Sequence, residues 1–405
     1  MGRTKRWLAA VIWIVVGWAL AVVPHARAQI GAGMDMGAMT APVSSRSLDV
    51  YAKLLALDAD QKEAAESLLV GYQAQHRAAV ESFNKKMESL QKEMEETQDW
   101  MAFGTRMRDL GVKFRDDIDG VERAFMDDLK VLLSQTQLER FVRVERARRR
   151  EKLLMFGLVA GQAVDLFAVA EAVKAADKPG VEDLLRSYEV EMDRRLQDFE
   201  RWQREQEKAF EGVNPMNFDM DQMSKLMGQM YERARQIRDL NRRFARQIAS
   251  SLGEGERFTE EFNRRAHPRV YRPSYTARCL AAAEGFADLS AEQRAELKLL
   301  RESYVREAAA ANARWAAVVE AAEDKRGANM MEEMMQRAMG GGGNDEVADA
   351  RKARQELDER MLDRLKAILT KAQAERLPEK PAEAPAPMGD MGDMFYMPEP
   401  DPDHP

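Results

Sequence analysis

The chain has 405 residues, a formal net charge of −7, 32% charged and 7% aromatic residues, and one cysteine. An acidic total spread over mixed charge argues against nucleic acid or an anionic membrane as the main partner, and a single thiol excludes an internal disulfide framework. So few aromatics among so many charges predict amphipathic helices with narrow apolar seams that share burial with their neighbours.

In chain order, an export signal comes first. Met1 to Arg6 is basic, Trp7 to Val23 is apolar, Pro24 breaks the run, and Ala26-Arg27-Ala28 offers small residues where a signal peptidase reads. Residues 1–28 are expected to be removed before Gln29, leaving a periplasmic or otherwise exported protein with no stable membrane insertion. The alternative is an uncleaved N-terminal anchor, for which the apolar run is slightly short. Losing Arg3, Lys5, Arg6 and Arg27 takes the formal charge to about −11. Residues 29–46 set Met34, Met36 and Met39 among Gly, Ala and Asp, show no apolar period and are predicted to be disordered.

Beyond them the chain repeats itself. Leu68-Leu69-Val70-Gly71-Tyr72, Leu184-Leu185-Arg186-Ser187-Tyr188 and Leu300-Arg301-Glu302-Ser303-Tyr304 follow one another at a step of 116 residues. Eleven residues after each tyrosine stands an aromatic, Phe83, Phe199 or Trp315, which is three helical turns and therefore the same face. The spacing predicts an all-α chain of three tandem repeats of long helical hairpins, over 47–157, 158–273 and 274–381. The six aromatics would form a shared buried core, and the Met/Pro/Asp-rich tail 382–405 would be disordered.

Helix starts recur at matched places. Leu57-Asp58-x-x-Gln61, Leu133-Ser134-x-x-Gln137, Leu289-Ser290-x-x-Gln293 and Leu369-Thr370-x-x-Gln373 each put a capping oxygen before a helix, a Gln three residues on that can reach back, and a Leu that can staple the incoming chain. The middle unit is degenerate. Its cap shifts toward Asp177 with Pro179 early in the helix, only Gly255-Glu256-Arg257-Phe258 remains of its tail motif, and Met220, Met223, Met227 and Met230 take seam spacing. The basic stretch Arg146 to Arg150 is expected on a solvated face, and with no Pro- or Gly-rich linker after it units one and two are expected to be coupled through packed or even continuous helix. Pro268 and Pro273 mark the junction before the third unit.

An exported helical chain with these motifs resembles the LTxxQ family of periplasmic proteins, the group of the Spy and CpxP stress chaperones and of related zinc-, nickel- and cobalt-responsive proteins. The resemblance is carried by Leu133, Ser134 and Gln137, by Leu289, Ser290 and Gln293, and by Leu369, Thr370 and Gln373, with Leu57, Asp58 and Gln61 as an acidic variant. It implies all-helical hairpins, an antiparallel homodimer, and binding of unfolded clients or transition metals. The motif pairs here are 76 and 80 residues apart, wider than that family's pattern, and three units stand in tandem.

No catalytic constellation is legible. His76, His267 and His404 stand far from one another and from any nucleophile motif, and carboxylate pairs such as Asp116-Asp117 read as solvated helix faces. Cys279, beside Leu280 and Ala281, reads as a small buried hydrophobe. Methionine is the unusual component, at 26 residues. Met34, Met36 and Met39 at one end and Met388, Met391, Met394 and Met397 at the other could offer thioethers to Cu(I) or Ag(I), which would be the one cofactor.

Three functions from different classes follow. The preferred one is a non-enzymatic periplasmic binding protein, a stress-associated holdase for unfolded or partially folded envelope proteins. The others are soft-metal buffering or sensing through methionines, and a structural envelope scaffold.

Overall fold

The computed structural model describes residues 40–210, 220–325 and 346–380. The leader, all seven terminal methionines singled out above, the cluster Met330 to Met339 and the tail 382–405 lie outside the described residues. Within them the fold is all-α, with helices paired as hairpins. One compact unit takes the chain up to Met155 together with Ser187–Met223; the other takes Phe156–Arg186 and everything from Ser224.

The first unit opens with α1 (Ser45–Leu55), α2 (Ala59–Thr97), α3 (Trp100–Val131) and α4 (Gln135–Leu153). Residues 40–46, expected to be disordered with the rest of 29–46, are instead tied down: Val43 is fully buried and Ser44 caps α1 through a capping box with Ser47. A single apolar residue in a polar stretch leaves no periodic signal, and only tertiary contact orders it. The tight turn between α2 and α3 uses Gln98 in the left-handed region and Asp99, whose carboxylate accepts from the Ala102 amide at 3.0 Å. The hairpin packs α2 along α3, while α4 lays Phe141, Val144 and Ala147 against α1. Tyr51, Leu55, Leu69, Tyr72, Phe125 and Leu129 fill the same core. Farther out a smaller cluster of Val80, Phe83, Phe114 and Ile118 continues the seam, with Phe83 stacked on Phe114 at 4.3 Å between ring centroids. The helix α4 does not run on into the following stretch: it ends at Leu153, and the backbone through Val164 is irregular.

The next helices are α5 (Leu166–Ala172), α6 (Val181–Phe210), α7 (Met220–Ser251), α8 (Gly255–Ala266) and α9 (Pro268–Tyr271). Pro179 does not sit in the first turn of α6; it precedes the helix, followed by Gly180 at φ +81°. Along α6, Leu185, Tyr188, Met192, Leu196, Phe199 and Trp202 are buried at intervals of three and four residues. Of the four seam methionines of α7, Met227 is buried and Met230 half-buried, while the side chains of Met220 and Met223 lie outside the described residues. Gly255 is required where it stands, since a Cβ there would collide with the carbonyl of Ala249.

The second unit closes with α10 (Tyr275–Glu284), α11 (Ala291–Lys325), α12 (Glu346–Ile368) and the single turn α13 (Lys371–Ala374). Here α11 pairs with α12, and α10 packs on both. Cys279 is fully buried among Leu280, Ala283, Leu300, Met361 and Leu365. Among the described residues no helix is long and apolar enough to cross a membrane.

Candidate functional site

The four Leu-x-x-x-Gln motifs meet in pairs. Asp58 accepts from the Gln61 amide at 2.8 Å and its own amide donates to Gln61 Oε1 at 3.2 Å, closing a capping box. Ser290 with Gln293 and Thr370 with Gln373 do the same, while Ser134 donates its amide to Gln137 Oε1 at 2.9 Å. Each Gln then spends its Nε2 on the opposite motif. Gln61 donates to Leu132 O at 2.7 Å and to Gln137 Oε1 at 3.0 Å; Gln137 donates to Ala56 O at 3.3 Å and to Gln61 Oε1 at 2.8 Å. At the other end of the chain Gln293 donates to Ile368 O at 2.8 Å and Gln373 to Asp288 O at 3.1 Å. In every case the acceptor is the carbonyl just before the partner motif's leucine. A carbonyl at a helix-to-helix turn has no helical partner of its own, so the clasp satisfies it and ties the two helices together at the base of the hairpin, where the first starts and the second ends.

The repeated aromatics lie inside. Tyr72, Phe83, Tyr188, Phe199 and Tyr304 are buried, whereas Trp315 is half-buried. Two of the tyrosine hydroxyls anchor the segment that enters the short preceding helix. Tyr72 Oη accepts from Val43 N at 3.2 Å, and Tyr304 Oη lies 2.8 Å from Ser274 Oγ, the cap of α10, while bonding Asp358 at 2.8 Å and Arg354 at 3.0 Å.

The basic run on α4 departs from the solvated face expected of it. Arg148 and Arg150 are each 4% exposed. Arg148 reaches Glu122 at 2.6 Å and Glu151 at 3.3 Å, and Glu151 in turn accepts from Tyr51 Oη at 2.8 Å. Burial would raise the Glu122 carboxyl, but the Arg148 hydrogen bond and charge outweigh it and hold Glu122 below the ordinary range. At Glu151 burial wins, and its pKa is raised. On another face of the same helix Arg143, Arg146 and Arg149 pair with Glu189, Asp193 and Glu200 of α6: Arg143–Glu189 at 3.2 Å, Arg146–Glu189 at 3.6 Å, Arg149–Glu200 at 3.1 Å, and Arg149 with Asp193. Both rows recur every three to seven residues, so they meet as a ladder. The acidic partners lie about 50 residues downstream, and local charge patterning on α4 gives no sign of them.

In the second unit His267, between α8 and α9, lies 2.9 Å from Glu320 of α11, and Arg242 of α7 reaches the same carboxylate oxygen at 2.5 Å. Beside them Glu323, 1% exposed, accepts the Ala160 amide at 3.0 Å, and Asn241 Nδ2 donates to Gly161 O at 2.8 Å and Val164 O at 2.9 Å. These side chains pin the irregular 157–164 segment. His76 is likewise buried, 2.6 Å from Thr40 Oγ1. Among the described residues no three His, Cys, Asp or Glu converge on a metal position, and the methionines proposed as ligands fall outside them.

The outer part of the first hairpin differs from its base. On α2 Met87, Leu90 and Met94, and on α3 Phe103, Met107 and Leu110, continue the helical seam beyond Phe83 and Phe114, and all six are only half-buried. Met87 and Leu110 lean on the Phe83/Phe114 cluster. The α11–α12 hairpin does not show this: the outer end of α11 carries Glu320, Glu323 and Asp324 into polar contacts with His267, Arg242, Ala160 and Arg238. Seam spacing was legible in the sequence; the fall in burial along the seam depends on how far the two helices stay covered.

The chain matches no protein-family model, no curated protein and no solved structure.

Proposed function

We propose that this is a non-enzymatic helical binding protein of the cell envelope, made of three tandem copies of one hairpin unit and acting as a holdase for partially folded clients. The observation that carries the reading is the outer seam of the first hairpin. Six apolar side chains, four of them Met or Phe, stay half-covered where the inner seam is closed. Flexible thioethers adapt to mixed apolar partners, and a seam with little burial is the part of a hairpin that opens at least cost. The arm is long enough to engage a chain segment, since the 39 residues of α2 extend roughly 58 Å.

The repeat reading is supported by the two similar Gln clasps, by hydroxyl tethers at both Tyr72 and Tyr304, and by burial of Tyr188 one step between them. The export signal places such a protein where unfolded envelope chains occur.

The test is suppression of aggregation of a chemically denatured reporter enzyme by the mature protein, alongside photo-crosslinking from positions 90 and 110. Suppression near equimolar ratio, with crosslinks to the unfolded reporter and none to its folded form, is expected. Absence of suppression at a tenfold excess overturns the holdase reading in favour of a scaffold.

A further inference from the structure

Three half-buried thioethers line the outer seam of the first hairpin. Along α2 the seam reads Val80, Phe83, Met87, Leu90, Met94, and along α3 it reads Phe103, Met107, Leu110, Phe114, Ile118. The hydrocarbon residues Val80, Phe83, Phe114 and Ile118 are buried at the inner end; Met87, Met94 and Met107 are half-buried at the outer end. Methionines in the closed parts of the molecule, Met192 and Met361, are shielded at 0% and 1% exposure. Met126, at the base of the same hairpin, is half-buried as well, but it packs against the core around Tyr72 and Phe125, whereas Met87, Met94 and Met107 lie where the seam between the two helices is least buried.

We propose that Met87, Met94 and Met107 form an oxidation-sensitive gate, in which conversion of their thioethers to sulfoxides separates the outer halves of α2 and α3 and uncovers Leu90, Phe103 and Leu110. This rests on the binding role assigned above to the same seam and names its regulation. The oxidant is a two-electron oxygen-atom donor of the hypochlorite or peroxide class. With hypochlorous acid the sulfur lone pair attacks the electrophilic centre, one S=O bond forms, chloride and a proton leave, and the sulfur rises by two oxidation units as chlorine falls by two. A sulfoxide is strongly polar and accepts hydrogen bonds, so a seam position that favours a thioether disfavours it. At the tip the two helices are joined by the tight turn at Gln98 and Asp99, so opening is a loosening of the stretch between that turn and the Phe83–Phe114 stack. Arg106 pairs with Glu93 across the two helices, but both side chains are about half exposed and contribute little. The base is held separately by the Gln61–Gln137 clasp, so the arm can loosen without unfolding it. A reductase specific for methionine sulfoxide would close the gate again, making the change reversible.

The experiment treats the full mature protein with a small molar excess of hypochlorite, maps sulfoxides by peptide mass spectrometry, and follows amide hydrogen exchange over residues 84–113. Expected are sulfoxides at the three positions and at least tenfold faster exchange across 84–113, with exchange around Tyr72 and Phe125 unchanged and with reversal by methionine sulfoxide reductase. Met87→Leu/Met94→Leu/Met107→Leu keeps volume and removes the oxidisable sulfur, and should hold slow exchange after the same treatment. The single variant Met94→Leu should show an intermediate response, and Met87→Gln/Met94→Gln/Met107→Gln should exchange fast without oxidant. Sulfoxides at all three positions with unchanged exchange, or equal acceleration in the triple Leu variant, would overturn the gate. These readouts involve no client, so failure of the holdase assay with a working gate, or the reverse, separates the two proposals.

Discussion

Gln61 and Gln137 donate to each other's side-chain oxygen, at 3.0 and 2.8 Å, from helices whose first turns they also cap. Because each also takes the carbonyl that ends the chain entering the other motif, neither cap is complete without its partner. Gln137→Ala is therefore expected to cost about 1–2 kcal/mol, more than an isolated cap. Combined with Gln61→Ala it should fall short of additivity by about 1 kcal/mol. Urea unfolding of the two single variants and the double variant measures this; strict additivity would mean that the motifs act independently.

The tyrosines separate a packing role from a polar one. Tyr72 Oη serves one amide, that of Val43, whereas Tyr304 Oη joins Ser274, Asp358 and a buried Arg354. Tyr72→Phe should cost about 1 kcal/mol, and Tyr304→Phe about 2–3 kcal/mol because it strands partners that stay buried. Thermal unfolding compares them directly, and equal costs would show that the Ser274–Asp358–Arg354 cluster reorganises without the hydroxyl.

Much of this architecture could be read from one chain because its signals are local. A cap box spans four residues and a helical seam eleven, so Asp58–Gln61, Ser290–Gln293 and the Tyr72-to-Phe83 spacing all fall within a short window. What joins one window to another was not legible. The Gln61–Gln137 clasp closes over 76 residues, the His267–Glu320 pair over 53, and the Arg149–Asp193 pair over 44. Long charged side chains carry no periodic mark of their partner, so Arg146 to Arg150 looked like any solvated face. Trp315 kept the predicted position but not the predicted burial, since spacing sets the face of a helix and not what covers it.

The α4–α6 ladder yields a charge-reversal test. Glu189 is 3% exposed and faces Arg143 and Arg146. Glu189→Lys should destabilise the protein by about 3–5 kcal/mol, since it leaves like charges together in a dry seam. Arg143→Glu in that background should recover about half the loss if the two residues face each other as partners. No recovery, with hydrogen exchange in α4 unaffected by either change, would remove the ladder as a stabilising contact.

The pair of carboxylates around Arg148 makes the sharpest pH prediction, because they shift in opposite directions. Glu122, held low by Arg148 against its own burial, contributes stability that is present above the unfolded carboxylate pKa of about 4.3 and lost as pH falls through its lower folded value. Glu151 is raised by burial, so its contribution runs the other way: it is fully present below about pH 4.3, and lost as pH climbs through its higher folded value and the buried carboxyl ionises. Wild-type stability should rise on leaving strongly acidic solution and then gain less than it otherwise would between about pH 4 and neutrality. Glu151→Gln keeps an acceptor for Tyr51 Oη and leaves Arg148 its shorter bond to Glu122 at 2.6 Å, so it should increase the gain between pH 4 and pH 7. Glu122→Gln should remove the acid-side rise and cost about 3 kcal/mol at pH 7, where Arg148 keeps only the 3.3 Å contact to Glu151. Urea unfolding at intervals from pH 3 to pH 8 on the three proteins provides the comparison. A parallel offset of Glu151→Gln from wild type at every pH would show that Glu151 titrates alike in the folded and unfolded chain.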